Sequence, residues 1–585
     1  MARNNKEQRI ARPRKPSTSP HIFSVRFRWL FFVFIPLFAL LIIANLFTIQ
    51  VQNGSYFREQ ADNQYVVASY NAFERGTIYF TDRSEILTTG AGLKKGYKLT
   101  IDPSRIEDLG VVYDALQPHY DLGSRDEFIS KIKKDATYYE VANELDINTA
   151  KKVKEQLGSK IQLYSEKWRV YPLDTVASHV LGLIGFQGDE YAGRYGLERF
   201  YEDTLKRTSK DIYTNFFARI FHGVKNIGDE SVVKEGDLVT SIEPQVQMFL
   251  EATLKGVQDT WSSARTGGII MNPKNGEIVA MAATPSFNPN DFSQSSVDDF
   301  KNPLVENVYE MGSIMKPLIV AMALDAGDIT ASTTYNDTGS VVVGNRTVYN
   351  FDKKGRGVVN VQEILNQSLN TGMVYIGGRI AKSDFREYFT KYGFTHKTEI
   401  DLPNEVTGIT SNMKSNRDVE FANMSFGQGI AISPVTMIKA ASALANKGMT
   451  VSPHIVREIK YRSGLTKKPE FPNGQQVVSE ATALEVSKML VNVFDAYNEG
   501  ETKIPNYSVA GKTGTAQIPA PTGGYYSDRN LHSFVGYFPA YDPQYIIFLY
   551  TVHPKGIKYS SQTLLRPFRS TVEFLINYYN IPPDR

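Results

Sequence analysis

Two patterns of apolar and polar residues divide this chain. From Trp29 to Ile49 the sequence WLFFVFIPLFALLIIANLFTI contains no charged residue, and the charge-free run continues to Gly54. About 20 apolar residues suffice to cross a hydrocarbon core of roughly 30 Å, so this stretch predicts a single membrane-spanning helix over residues 29–50. Pro36 is tolerable there because neighbouring groups re-satisfy the freed carbonyl. A cleaved signal peptide is the alternative, but the run is long and lacks a small-x-small cleavage site.

Beyond the apolar run, residues 51–235 read as a mixed region. Tyr97–Ile101 has strand character, and Thr137–Leu157 places apolar residues at helical spacing. The texture changes near Gly236. Asp237–Ser241 predicts a strand and Pro244–Trp261 an amphipathic helix. Gly267–Met271 and Ile278–Ala282 predict buried strands joined by a turn at Asn272–Gly276. Helical patterns fill much of 313–450, and Ser508–Ile518, His532–Phe538 and Tyr545–Val552 read as three closing strands. Strands, a helical middle and closing strands predict an α/β (α+β) fold, with a sheet covered by helices. The expected organisation is a basic tail (1–28), an anchor (29–50), a non-catalytic pedestal (51–235) and a catalytic domain (236–585).

Charge gives the anchor a direction. The formal net charge is only +3, yet residues 1–28 hold eight basic side chains against Glu7 alone, leaving −4 for the rest. Lys/Arg-rich flanks stay in the cytoplasm, so the bulk is expected outside the cytoplasmic membrane. Positive charge confined to a leader, not spread over a folded face, argues against nucleic-acid binding. The chain has no cysteine, which excludes a disulfide framework, a thiolate metal site and a cysteine nucleophile. Its 8 histidines show no metal-ligand spacing, and no phosphate or dinucleotide fingerprint is present, so neither metal nor cofactor is expected.

The candidate chemistry lies in three separated motifs. Ser313-Ile314-Met315-Lys316 opens an apolar run, placing the lysine one helical turn from the hydroxyl. Serine is a weak nucleophile without an adjacent base, and lysine is a base only if burial or nearby positive charge lowers its pKa. S-x-x-K alone is a weak signal, since Ser130–Lys133 and Ser411–Lys414 also match; S-x-N is equally weak, with Ser69–Asn71 a second copy. Ser368-Leu369-Asn370 follows in a polar break, and Lys512-Thr513-Gly514-Thr515 falls on the first closing strand. K-T-G occurs once, and the three motifs in this order form the set found in penicillin-binding proteins and class A β-lactamases.

On these residues the chain resembles the class B (monofunctional) penicillin-binding proteins. The resemblance extends to Arg75-Gly76-Thr77-Ile78 with Asp82-Arg83, Ala177–Gly182, Gly196–Glu198, Gly276–Met281, Phe426–Gly429 and Ser533–Pro539. Met311 stands where the family usually has proline, and the Arg-Gly box is stretched by about one residue before Asp82. The resemblance implies a β-lactamase-like domain and two-step acyl transfer. It makes Ser313 the nucleophile, Lys316 the base, and Ser368 the relay to the leaving amine. Asn370 would hold the substrate amide, Lys512, Thr513 and Thr515 would receive a carboxylate beside Gly514, and the Ser313 and Thr515 N–H groups would form an oxyanion hole. It further implies peptidoglycan stem peptides as substrates, covalent capture of β-lactams, and a SEDS-family glycosyltransferase as partner, more in the manner of the division branch than of elongation. A D,D-carboxypeptidase and a non-catalytic β-lactam sensor or scaffold are the alternatives on the same fold.

Overall fold

The computed structural model describes residues 35–47, 73–188, 190–207 and 234–585. The basic tail, the ends of the expected anchor, and residues 51–72 and 208–233 of the expected pedestal lie outside them. The described part of the anchor is a helix, Ile35–Phe47, of 13 residues. At 1.5 Å per residue this is about 20 Å. Among the described residues no helix is long and apolar enough to cross a membrane.

The chain forms two compact units. In the smaller, residues 95–166 build a core around Leu99, Ile101, Val112, Phe128, Val141, Val153 and Ile161. The stretch Thr137–Leu157, expected as one helix, is here a strand, Tyr139–Leu145, followed by a helix, Ile147–Leu157. Asp146 makes the break: its carboxylate accepts from the N–H groups of Asn148 and Thr149, both at 3.0 Å. An Asp at that position starts a helix and does not continue one.

The larger unit comprises residues 73–94 and 167–585. Segments expected in the pedestal, 73–94 and 167–207, therefore fold together with the catalytic region. Ile78 pairs with Leu238 in parallel, and Ile78–Thr81 also pairs with the start of Leu87–Ile101. Beside this sheet lies a buried ion cluster. Glu198 accepts from Arg75 Nε and, at 2.6 Å, from Arg169 Nε, while Arg75 also donates to Glu202 at 2.7 Å.

The site rests on a second sheet, whose described strands run in the order Ile278–Thr284, Arg265–Met271, Tyr545–Val552, Tyr525–Phe538, Ala510–Pro519, all antiparallel. Period-two alternation sends Ile270, Ile547 and Leu549 to one face, where they meet the helices Pro244–Trp261 and Leu565–Tyr579 through Leu250, Leu254, Phe568 and Val572. Ile269, Met271, Phe548 and Tyr550 face the other core, which includes the helices Lys316–Asp325 and Pro434–Ala445. Burial on both faces explains why the strands read as nearly continuous apolar runs. The middle region is less uniformly helical than its pattern suggests. It contains two small antiparallel pairs, Thr334–Asp337 with Gly357–Asn360 and Ser340–Val343 with Arg346–Tyr349.

Candidate active site

Ser313 lies in a short 3-10 turn, Gly312–Met315, that runs directly into the helix Lys316–Asp325. Pro317 sits in the first turn of that helix, where a missing N–H costs nothing. Two hydrogen bonds clamp the turn. Gly312 N–H donates to the Gly427 carbonyl at 3.0 Å, and the Ser533 hydroxyl donates to the Met311 carbonyl at 3.1 Å. Such close approach demands glycine on the neighbouring strand. A Cβ on Gly514 would stand 2.3 Å from Ser533 Oγ and 2.9 Å from the Met311 carbonyl oxygen. The glycine of K-T-G thus lets the serine turn pack against the sheet.

The second motif sits where the helix Val361–Asn366 ends and Asn370–Gly377 begins. Ser368 holds a left-handed backbone, φ +52°, which a non-glycine residue adopts only when its surroundings impose it. The surroundings do. Thr371 donates through its hydroxyl to Asp337 at 2.8 Å, and the Asn350 amide donates to both Asp337 oxygens at 3.0 Å. All three residues are buried. Asn370 donates to the Tyr349 carbonyl at 3.1 Å, turning its carbonyl oxygen inward.

The third motif lies on Ala510–Pro519, an edge strand, so one side of its backbone carries no sheet partner. Thr513 is fixed by Tyr497, whose hydroxyl accepts from the Thr513 N–H at 3.1 Å and lies 3.0 Å from Thr513 Oγ1.

These motifs converge. Lys316 Nζ donates to the Ser368 carbonyl at 2.6 Å and to Asn370 Oδ1 at 2.8 Å, and stands 3.2 Å from Ser368 Oγ. Lys512 Nζ reaches the same hydroxyl, also at 3.2 Å. Ser313, Ser368, Asn370, Lys512, Thr513 and Thr515 line one cavity of 1080 Å³, while the Lys316 and Lys512 side chains are almost wholly buried. Burial, reinforced by the Lys512 charge, holds the Lys316 amine well below the usual lysine range. A buried neutral amine beside a hydroxyl can take a proton; a solvated ammonium cannot. Among the described residues no cluster of potential metal ligands occurs.

Sequence reasoning did not find Tyr497, the Asp337–Asn350–Thr371 network or Glu310. The last lies three residues before the serine, where its Oε1 accepts from Gly429 N–H at 3.0 Å and Tyr525 hydroxyl at 3.1 Å. Burial raises its pKa. None of these residues belongs to a local motif, and each acts on a partner distant in sequence, so a single sequence carries no signal for them.

The penicillin-binding protein transpeptidase domain matches residues 266–570, and the penicillin-binding protein dimerisation domain matches 71–215. Stage V sporulation protein D of Bacillus subtilis is 30% identical over 72% of this chain and 65% of its own length. A peptidoglycan D,D-transpeptidase FtsI homolog of Mesostigma viride is 27% identical over 93% of this chain and 94% of its own length. In structure, penicillin binding protein 3 of Mycobacterium tuberculosis, complexed with aztreonam, covers 88% of this chain and 98% of its own, with TM-score 0.66 and 21% identity.

Proposed function

The chain belongs to the penicillin-binding protein transpeptidase family, and on that footing we propose that it is a serine-type peptidoglycan D,D-transpeptidase whose acyl-enzyme forms on Ser313. One observation carries the assignment of residues: two buried lysines meet at the Ser368 hydroxyl, in a cavity that also holds the Ser313 side chain.

A neutral Lys316 amine has two N–H bonds and a lone pair. The Ser368 carbonyl and Asn370 Oδ1 take the two donors, which leaves the lone pair for a hydroxyl. Ser313 Oγ attacks the carbonyl carbon of the penultimate D-alanine, and its proton passes to Lys316 Nζ. The tetrahedral oxyanion is held by the N–H groups of Ser313 and Thr515, each such donor being worth about 10²–10³ in rate. Collapse breaks the peptide bond. The departing amine takes its proton through Ser368, whose oxygen accepts from Lys512 while its hydrogen faces the leaving nitrogen, and the proton held on Lys316 replaces the one Ser368 gives. In the second step an amine of a neighbouring stem attacks the ester, loses its proton to the same lysine, and Ser313 recovers its hydrogen as the new amide forms. Lys512, Thr513 and Thr515 receive the terminal carboxylate of the donor, and Asn370 orients the substrate amide. A β-lactam presents a strained amide to the same serine and stays attached as an ester.

The anchor 29–50, the cytoplasmic tail 1–28, the pedestal 51–235 and the catalytic domain 236–585 complete the reading. The bulk of the protein then works outside the cytoplasmic membrane, beside a SEDS-family glycosyltransferase and in septum formation. The +7 leader and the apolar run Trp29–Ile49 support that topology. Fluorescent penicillin should label the wild-type protein and leave Ser313→Ala unlabelled; equal labelling of both would remove Ser313 as nucleophile. Depletion should give filamentous cells, whereas rounded cells would assign the protein to elongation.

A further inference from the structure

The cavity that holds Ser313 is strongly asymmetric in charge. Besides Lys512 it is lined by Lys353, Lys555 and Lys558, against one carboxylate among the described residues, Asp528. Among the described residues neither Lys555 nor Lys558 has a carboxylate partner. Lys555 Nζ instead lies 3.2 Å from the His553 ring, and Lys558 lies over the Tyr559 ring at 5.4 Å. Burial, with the charges of Lys555 and Arg529, holds the His553 imidazole below its usual range, as expected where positive charge is in excess.

Lys555 and Lys558 are exposed, but the backbone that carries them is anchored. Lys555 N–H donates to the Trp261 carbonyl at 2.7 Å, and the Lys558 carbonyl lies 3.0 Å from the buried His532 ring. At the end of the segment, Ser560 N–H donates to Thr515 Oγ1 at 3.2 Å and the Ser560 hydroxyl to the Ser533 carbonyl at 2.7 Å. The backbone of this segment therefore forms a fixed rim that ends against the K-T-G strand. Across from it, the Phe351 ring meets Tyr559 edge-on at 5.7 Å, which brings the Lys353 segment to the same rim.

Cations without a carboxylate partner among the described residues, carried on an anchored backbone that lines the cavity of a reacting group, describe an anion subsite. The terminal carboxylate of the donor already has its place at Lys512, Thr513 and Thr515. We propose that Lys555 and Lys558 bind a second carboxylate of the stem peptide, one carried on a residue other than the reacting D-alanine pair. The enzyme then discriminates stem peptides bearing that carboxylate free from those in which it is amidated. This deepens the transpeptidase reading and rests on it. The carboxylate can belong to the acyl donor or to the amine acceptor, and the two steps of the reaction separate them.

The test uses the full-length protein and two pairs of synthetic peptides, each pair differing only in carboxylate against carboxamide. One pair are thioester-activated donors, read by the rate of acyl-enzyme formation. The other pair are acceptor amines, read by the rate at which they resolve a preformed acyl-enzyme. In one of the two arms the wild type should prefer the free carboxylate by about tenfold, in line with a charge-assisted contact. Lys555→Ala/Lys558→Ala should erase the preference, Lys555→Glu/Lys558→Glu should reverse it, and added salt should shrink it in the wild type. Rates are expressed relative to benzylpenicillin acylation of the same variant, which corrects for any misfolded fraction. A wild type indifferent in both arms, or a preference that survives in both double variants, overturns the subsite. A wild type that benzylpenicillin does not acylate would instead sink the transpeptidase reading itself.

Discussion

Two buried charge clusters in the larger unit show opposite solutions to one physical problem. Around the buried Glu198, two buried guanidinium groups and the partly exposed carboxylate of Glu202 compensate one another. Burial pushes the Glu198 carboxyl up, but Arg169 and Arg75 outweigh it and hold the group below its usual range. The cluster ties together Arg75, Arg169 and the Gly196–Phe200 helix. Around Ser368, two lysines are buried with amide, carbonyl and hydroxyl partners and no carboxylate among their hydrogen bonds. There burial and the neighbouring Lys512 charge hold the Lys316 amine well below the usual lysine range, which favours loss of its proton. Compensated burial fixes structure, whereas uncompensated burial lowers the pKa of an amine.

The strongest way to break this contrast is to remove one charge from each side. Lys316→Ala should lower the benzylpenicillin acylation rate by about 10³-fold or more, the upper range for a positioned base. Its thermal midpoint should hold or rise, because a costly buried amine is gone. Glu198→Gln should do the reverse. Leaving buried Arg169 without a carboxylate and Arg75 with Glu202 alone should cost about 3–5 kcal/mol of stability in chemical denaturation, with little change in acylation per folded molecule. The clusters also differ in the pH dependence they impose. The Glu198 contribution is present above the unfolded carboxylate value and is lost as pH falls through its lowered folded value. Acylation should also fall with decreasing pH, but as a catalytic loss without unfolding, separable by following circular dichroism alongside. The smallest effect is expected at Tyr497→Phe, which removes one hydroxyl from Thr513. A rate loss of about three- to tenfold is expected, equivalent to roughly 1 kcal/mol, the usual net scale of a neutral hydrogen bond.

The same contrast explains what a single sequence discloses. Ser313, Lys316, Ser368, Asn370 and Lys512 were legible because their order along the chain is a pattern, and the closing strands because their apolar runs are. Arg75 and Glu198 were visible as family motifs, but not as partners, since a buried ion pair 123 residues apart leaves no local trace. Tyr497, Glu310 and the Asp337–Asn350–Thr371 network were illegible for the same reason. The misread helix at Thr137–Leu157 is a local failure of another kind. Its apolar residues fit helical spacing, yet Asp146 terminates the strand and caps a new helix. The tight fit of the K-T-G glycine against Ser533 and Met311 is a packing requirement that the motif does not disclose by itself.

The central claim is that Lys316 is neutral at working pH because it is buried beside Lys512. It is tested most directly by the rate of Ser313 acylation by benzylpenicillin as a function of pH, in the wild type and in Lys512→Gln. The wild-type rate should fall through one ionisation lying well below about 10.4, the ordinary lysine value. Removing the like charge should move that ionisation to higher pH. A wild-type rate that stays flat down to about pH 5, or that titrates at the ordinary lysine value in both proteins, would contradict the claim.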